Sequence, residues 1–176
     1  FKSLKIKIED LRILSSASRL RVIEAFDGDL TTGELTYPVK MGKELNPDPE
    51  SDILKIVVKD RCRDLKPATA FIKGFGLKKG AFASSVAHDS HNIICIGTSD
   101  DEIVAAINAV IEMKGGLAVS KNKIIEILPL PVGGIMSDLP AEIVAREYEK
   151  LSQTVRSYGC TMSAPFMTLS FMALLV

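Results

Sequence analysis

The chain has 176 residues, and its 22 Lys and Arg balance its 22 Asp and Glu, so the formal net charge is zero. This length fits one domain of ordinary size, which buries enough apolar surface to fold without disulfide bonds. A neutral chain lacks the basic excess with which proteins bind nucleic-acid phosphates, so no nucleic-acid partner is expected. Three cysteines without a CxxC motif exclude a secreted disulfide scaffold and a zinc knuckle.

Apolar residues are slightly more frequent than in typical domains, which favours a surface buried against another domain or a second copy of the chain. The longest apolar run, residues 166–176, is interrupted by Thr168 and Ser170. It is shorter than the roughly 20 residues that cross a bilayer, so no membrane partner is expected. The chain begins with Phe1 rather than Met and stops inside the apolar run. We therefore expect it to be a piece of a longer protein.

The first half of the chain predicts strands. Residues 4–8 alternate apolar and basic side chains with the period of two of a half-buried strand. Residues 46–49 (Asn-Pro-Asp-Pro) predict a loop. The segments on either side of the glycine-rich stretch 74–80 are expected to pair with each other. Alternating or β-branched runs predict further strands at 19–26, 34–39, 53–58, 69–75, 82–86 and 91–97.

Two helices are predicted in the second half. Ser99 and Glu102 have the spacing of a capping box ahead of a stripe of apolar residues, and Gly115 is suited to end that helix. Asp138 is expected to cap the second helix, and Gly159 to end it.

The order of these elements predicts the fold class. Between the two helices, residues 117–119 and 124–128 predict a hairpin around a Lys-Asn-Lys turn. Strands followed by mixed strands and helices predict an α+β fold, with helices packed on a mixed or antiparallel sheet. We expect residues 1–50 to be a β-rich N-terminal segment and residues 51–176 to be the main α+β unit.

Both histidines of the chain lie in one polar run, His88-Asp89-Ser90-His91-Asn92, between two apolar segments. Asp, Ser and Asn favour turns for local reasons, so a structural turn is one interpretation. Imidazole titrates near neutral pH and binds metals, so a substrate or proton-transfer site and a metal site are two others. The metal site is the weakest, because a turn of this length offers only three ligands and residues three apart on a strand point to opposite faces.

Two glycine-containing loops are further candidates. Residues 73–80 combine three glycines with three lysines, but a strand follows, so no helix N-terminus is available to bind a phosphate. A bent hairpin that needs permissive glycines is the structural alternative. Residues 129–138 run through Gly133 and Gly134 to Ser137 and Asp138. They are either a rigid connector or a loop that touches a ligand.

Four stretches of the chain together carry a specific pattern. They are FIKGFGLKKG (71–80), ASSVAHDSHN (83–92), LPLPVGGIMSD (128–138) and PFMTLSF (165–171). In this order they resemble the C-terminal region of the bacterial and archaeal adenine deaminases of the amidohydrolase superfamily. The combination of AHDSHN with GIMSD downstream is the most specific part of the resemblance.

The resemblance implies a larger enzyme. Residues 51–176 would be an adenine deaminase C-terminal domain, preceded by a metal-binding (β/α)8 barrel as a partner domain. The implied reaction is the hydrolytic deamination of adenine to hypoxanthine and ammonia, in cytoplasmic purine salvage. In that reaction a divalent metal, manganese or iron, activates water. The ligands of that metal belong to the barrel, so this chain is expected to hold no metal and to be inactive alone.

From the chemistry of the polar run we expect catalytic roles for His88, Asp89 and His91, which can move protons or hydrogen-bond the purine. The alternatives are a non-catalytic α+β module that binds a ligand or a partner domain, and a domain for homo-oligomerisation. The module would bind through the glycine-rich loop and the polar run, and the oligomerisation domain through its apolar surface. A rival interpretation of the polar run itself is that it only supports the interface between domains. The residues expected to contact adenine are Asn92, Ser90, Gly74, Gly76, Ser137 and Asp138.

Overall fold

The computed structural model describes residues 1–174. Within these residues, one eight-stranded sheet carries helices on both faces. After a 3-10 turn at Ile8–Leu11, the elements are β1 (Arg19–Ala25), β2 (Thr32–Pro38), β3 (Leu54–Lys59), β4 (Ala68–Lys73), β5 (Ala81–Ser84), β6 (Ile93–Gly97), α1 (Asp100–Glu112), β7 (Gly116–Lys121), β8 (Ile124–Pro129), α2 (Ala141–Ser157) and α3 (Pro165–Phe171).

The strands follow the order β2-β1-β4-β3-β6-β5-β7-β8 across the sheet. Among the strands of residues 1–174, only β1 and β4 run parallel, and every other neighbouring pair is antiparallel. The α+β class with a mixed sheet is therefore confirmed. The β1–β2 hairpin belongs to the same sheet as the rest of the chain, and the division at residue 50 stays a prediction. No helix among residues 1–174 is both long and apolar enough to cross a membrane.

Each face of the sheet has its own apolar core. The predicted apolar stripe of α1, including Ile103, Ile107 and Val110, packs on one face together with Ile6 and Leu11 from the N-terminal segment. On the other face, α2 and α3 pack against β5, β6 and β7. The rings of Phe82 and Phe166 meet there edge to face at 5.3 Å. Burial of each large apolar side chain of this kind contributes about 1.5–3 kcal/mol.

The strand predicted at residues 4–8 is wrong. The backbone of Ile6 is tied instead to the side chain of Asn108 on α1, which accepts from its N–H at 2.8 Å and donates to its carbonyl at 2.9 Å. Of the three apolar residues in the pattern only Ile6 is buried, since Leu4 is exposed and Ile8 is half-buried. The partner of Ile6 is a helix surface rather than a strand.

The predicted pairing across residues 74–80 is also wrong. β4 lies between β1 and β3, whereas β5 lies between β6 and β7. The two strands adjacent in sequence are thus separated by β3 and β6 in the sheet. By contrast, the hairpin of β7 and β8 is confirmed, and its turn residues Asn122 and Lys123 both have positive φ, as a tight two-residue turn requires.

The helix caps agree with the sequence only in part. Ser99 accepts the N–H of Glu102 at 3.4 Å, as predicted. The carboxylate of Glu102 does not complete the box but accepts from the Ser120 hydroxyl and the Asn122 N–H. Asp138 does not cap α2, because Pro140 occupies the N-cap position. The apolar run at 166–176 contains α3, and its last two residues lie outside the described part of the chain.

The register of β3 and β6 defines two ends of the sheet. At one end β3 finishes at Lys59 opposite Ile93, where β6 begins. We call this the site end, because the polar run 88–92 immediately precedes Ile93. At the opposite end β3 begins at Leu54, which faces Ile72 near the close of β4.

A buried ion pair holds the N-terminal segment, the sheet and α1 together. The side chain of Lys55 on β3 is fully buried, and its Nζ lies 2.6 Å from a carboxylate oxygen of Asp100 at the start of α1. The same ammonium donates to the carbonyl of Leu11 at 3.4 Å. Removal of one member of such a pair leaves the other charge buried without its partner, which is costly.

We predict that Lys55→Met lowers the free energy of unfolding by about 3–5 kcal/mol. The matched control is Lys5→Met, since Lys5 pairs with Glu112 at 3.0 Å on the exposed surface and exposed pairs are worth less than about 1 kcal/mol. Urea denaturation of the two variants measures both values. Equal losses would show that the buried pair does not stabilise the fold.

Candidate functional site

The polar run forms a tight turn between β5 and β6 at the site end. The N–H of His91 donates to the carbonyl of Ala87 at 2.6 Å, and His91 itself has a φ of 50°. The N–H of His88 donates to the carbonyl of Ser170 on α3 at 2.8 Å. The turn is therefore fixed both within itself and to the last helix, so its side chains have defined directions.

The ring of His91 is oriented by its own turn. Its Nδ1 accepts the backbone N–H of Ala87 at 3.3 Å. Because Nδ1 must supply a lone pair to this bond, the neutral ring carries its proton on Nε2. His91 therefore offers a hydrogen-bond donor at Nε2, the outer nitrogen of the ring.

His88 is half-buried between two other rings. It stacks on Phe171 with ring centroids 5.0 Å apart and planes inclined by 25°. The His91 ring approaches it edge-on at 5.6 Å. This packing fixes His88 against α3, so His88 has a structural contact as well as a candidate chemical role.

Three residues of the turn line a pocket of about 630 Å³. Asp89, Ser90 and Asn92 form its polar wall. Its apolar wall comes from Val58 and Ala68 on the neighbouring strands and from residues 172–174 after α3. A pocket with a few polar groups converging on an apolar wall is typical of a small-molecule site. His88 and His91 are not among the residues that line the pocket.

Arg61, in the loop after β3, links the turn to a second loop. Its backbone N–H donates to Oδ1 of Asn92 at 3.4 Å, which leaves the amide NH2 of Asn92 as a donor. Its guanidinium donates to the carbonyl of Gly133 at 2.6 Å. The buried hydroxyl of Ser85 donates to the carbonyl of Gly134 at 2.5 Å and holds the same loop.

The loop 130–140 between β8 and α2, which contains the candidates Ser137 and Asp138, is thus brought to the site end, although neither residue is among those that line the pocket. Ser137 is half-buried and accepts the N–H of Leu139 at 3.1 Å, and Asp138 is exposed. Sequence reasoning missed the anchoring residues Arg61 and Ser85. Arg61 lies in a stretch of charged surface residues, so nothing in the sequence distinguished it.

Gly74 and Gly76 lie at the opposite end of the sheet, after β4. The length of β3 separates them from the turn, a distance of about 17 Å at 3.3 Å per residue. Their amides donate to the two carboxylate oxygens of Asp52 at 2.8 and 2.7 Å. A Cβ on Gly74 would overlap the carbonyl oxygen of Ala25. The structure therefore gives these glycines a structural role in a close-packed connection, though not in the predicted hairpin, and does not place them in the pocket.

No metal ligand set is present among residues 1–174: no three His, Cys, Asp or Glu side chains come together as a metal site requires. The thiols offer no alternative chemistry in the core. Burial raises the pKa of Cys95 well above its ordinary value and that of Cys160 to about 11. Both remain protonated and unreactive at neutral pH.

Comparison with known proteins now gives the family. The sequence profile of the adenine deaminase C-terminal domain matches residues 30–176. The chain belongs to this family. It is 47% identical to an adenine deaminase of Salinibacter ruber over 171 aligned residues. The aligned residues make up 95% of this chain and 31% of that protein.

Two archaeal proteins give the same result. The chain is 46% identical to an adenine deaminase of Methanosarcina barkeri, over 100% of this chain and 34% of that protein. It is 44% identical to one of Archaeoglobus fulgidus, over 98% of this chain and 30% of that protein. This adenine deaminase C-terminal domain therefore spans about a third of the length of the curated relatives it matches.

The role of Gly74 in this adenine deaminase C-terminal domain can be tested by substitution. We predict that Gly74→Ala lowers the free energy of unfolding by at least about 2 kcal/mol more than Gly42→Ala does. Both positions have positive φ, which costs an Ala about 1–2 kcal/mol, but only Gly74 faces a backbone clash. Thermal or urea denaturation gives the comparison. Equal losses would show that the close approach to Ala25 is not part of the fold.

The thiols give a second test. We predict that a thiol reagent at neutral pH modifies Cys62 rapidly in the folded chain, because Cys62 is exposed. Cys95 and Cys160 are expected to react only after unfolding, since they are buried and the thiolate is the reactive form. Mass spectrometry after timed labelling separates the three sites. Rapid labelling of Cys95 would contradict the described packing between α1 and β6.

Proposed function

We propose that this chain is the C-terminal part of an enzyme that converts adenine and water to hypoxanthine and ammonia, and that its turn 88–92 contacts the substrate. The pocket at the site end is the observation that supports the proposal most directly. Its polar wall comes from AHDSHN, which belongs to the most specific part of the family resemblance. Relatives that cover the whole chain at 44–47% identity are named adenine deaminases, which supports the substrate.

The hydrogen-bonding groups of the turn complement the edge of adenine. The exocyclic amine of adenine donates, and its ring nitrogens accept. The carboxylate of Asp89 accepts from such an amine. The NH2 of Asn92, which lines the pocket, donates to a ring nitrogen. The apolar wall at Val58 suits the face of a planar purine.

The carboxylate and the imidazoles also suit proton transfer during the reaction. Deamination moves a proton onto the leaving amine, which a neighbouring acid or a carboxylate relay can supply. We assign this task to Asp89, supported by His91, whose tautomer is set by the Ala87 N–H. His88 holds the turn against Phe171 and brings its ring nitrogens near His91.

The metal that the resemblance implies, manganese or iron, does not fit residues 1–174, which lack a ligand set for it. A divalent metal in such an enzyme lowers the pKa of water and so supplies the nucleophile. We assign its ligands to the larger part of the protein, expected as an amidohydrolase barrel, and derive no step of this chain through it. On this proposal residues 1–176 alone do not turn over adenine.

The test uses the whole protein loaded with manganese or iron, with adenine as substrate. Asp89→Asn is expected to reduce kcat/KM by roughly a hundredfold or more, equivalent to about 2.7 kcal/mol of transition-state stabilisation. The matched control is Asp29→Asn, an exposed carboxylate in the turn between β1 and β2. That turn lies at the opposite end of the sheet, so Asp29→Asn is expected to reduce kcat/KM by less than about twofold.

His88 needs a variant that separates packing from chemistry. His88→Phe keeps an aromatic ring on Phe171 and removes both ring nitrogens, whereas His88→Ala removes the ring as well. A chemical role predicts that both variants lose roughly a hundredfold in kcat/KM. Full activity of His88→Phe with loss in His88→Ala would make His88 a packing residue.

The outcomes separate the proposal from its alternatives. Absence of adenine turnover in the whole wild-type protein would show that adenine is not the substrate. Turnover that survives Asp89→Asn and His88→Ala unchanged would reduce the turn to a support for an interface. The chain would then be a non-catalytic module within the enzyme.

A further inference from the structure

The exposed apolar side chains of this chain are concentrated in one segment. Among the described residues, fourteen large apolar side chains are exposed, and six of them fall within residues 124–139. Ile124 lies on the opposite face of β8 from Ile125 and Ile127. We call the other five residues the apolar ridge. The ridge consists of Ile125, Ile127, Val132, Met136 and Leu139.

The ridge follows the free edge of the sheet and continues to the site end. Ile127 on β8 lies beside Ala118 on β7, which belongs to the core beneath α1, so Ile125 and Ile127 lie on the α1 face. The loop after β8 turns back toward the end of α1, since the N–H of Leu130 donates to the carbonyl of Gly115. That loop is the one that Arg61 ties to Asn92.

The two edges of the sheet differ in a way that indicates a partner. Both edge strands end in an exposed proline, Pro38 on β2 and Pro129 on β8, so the difference lies in their other side chains. β2 exposes Thr32, Glu34 and Thr36, and the charge of Glu34 opposes edge association. β8 exposes isoleucines and carries only the half-buried Glu126 as a charge. An edge strand that exposes apolar side chains in this way is normally covered by another surface.

We propose that the apolar ridge docks on the remaining, larger part of this protein. The relatives are about three times as long as this chain, since it covers 30–34% of each protein compared above. The ridge includes three residues of the loop 130–140, and Arg61 ties that loop to the turn 88–92, so a body seated on the ridge lies beside the site end.

This assignment of the occupant as the catalytic part rests on the proposed function. A second copy of the chain would cover β8 by strand pairing, but nothing would then bring a catalytic centre to the pocket. The segment 125–139 that carries the ridge is also nearly uncharged, with Asp138 as its only exposed charged residue. Interface cores are depleted of charge in this way.

Methionine oxidation provides the test, because the chain carries its own reference side chains. Met136 on the ridge is 56% exposed in this chain, while Met41 and Met167 are 71% and 53% exposed at other sites. The whole protein is treated with dilute hydrogen peroxide, and each sulfoxide is followed by peptide mass spectrometry. We expect Met136 to oxidise at least about tenfold more slowly than the faster of the two references.

Variants separate docking from local protection. Ile125→Lys with Ile127→Lys places charge on the edge of the ridge and is expected to raise the oxidation rate of Met136 to that of the references. The matched control is Leu14→Lys, an exposed apolar residue outside the ridge, which is expected to leave Met136 protected. An unchanged melting temperature in all variants confirms that the fold itself is retained.

Three results would overturn the proposal. Oxidation of Met136 at the reference rate in the wild-type whole protein would show that the ridge is free surface. Protection that disappears on dilution, together with a halved mass in light scattering, would identify a second copy as the occupant. Protection that survives the double lysine variant would show that the ridge isoleucines do not hold the contact.

Adenine turnover is measured in the same samples and keeps the two proposals apart. Protection of Met136 in a protein that does not deaminate adenine would support docking and overturn the proposed function. Turnover of adenine with a fully reactive Met136 would support the function and overturn docking.

Discussion

The position of β6 between β3 and β5 is the constraint on which the candidate site depends. Antiparallel pairing sets Ile93 opposite Lys59 and Ile94 opposite Ser84. A shift of one residue would turn the buried side chains of β6 to the wrong face, so both cores hold this register. The polar run 88–92 ends where β6 begins, and the register alone therefore brings it to the end of the sheet beside the loop after β3.

The candidate site is formed by the loops between strands and helices rather than by the strands themselves. The turn 88–92, Arg61 after β3, the loop 130–140 and the last residues of α3 meet at the site end, and backbone carbonyls accept most of the bonds that join them. Arg61 is central, since one residue contacts both Asn92 and Gly133. Loops fixed to a rigid sheet in this way can place polar groups accurately while remaining open to a partner surface.

Sequence and structure agree best where the signal is local. The turn of Asn122 and Lys123, the cap at Ser99 and the apolar stripe of α1 depend on neighbours within a few residues, and each was predicted. They disagree where a side chain far away in the sequence hydrogen-bonds to the backbone of the segment. The backbone of Ile6 bonds to Asn108, and the amides of Gly74 and Gly76 bond to Asp52, so neither segment forms the strand or hairpin that its pattern favoured.

The sequence alone determined the α+β class, most strand and helix positions, the family resemblance and the polar run as the candidate site, because residue type and spacing carry that information directly. Only the tertiary structure decided which candidates lie at the same end of the sheet. It brought the turn 88–92 and the loop 130–140 to one end, and it placed Gly74 and Gly76 at the other. Strand order is the physical reason. The residue pattern within β3 or β6 does not indicate that these two strands, which are far apart in the sequence, pair with each other.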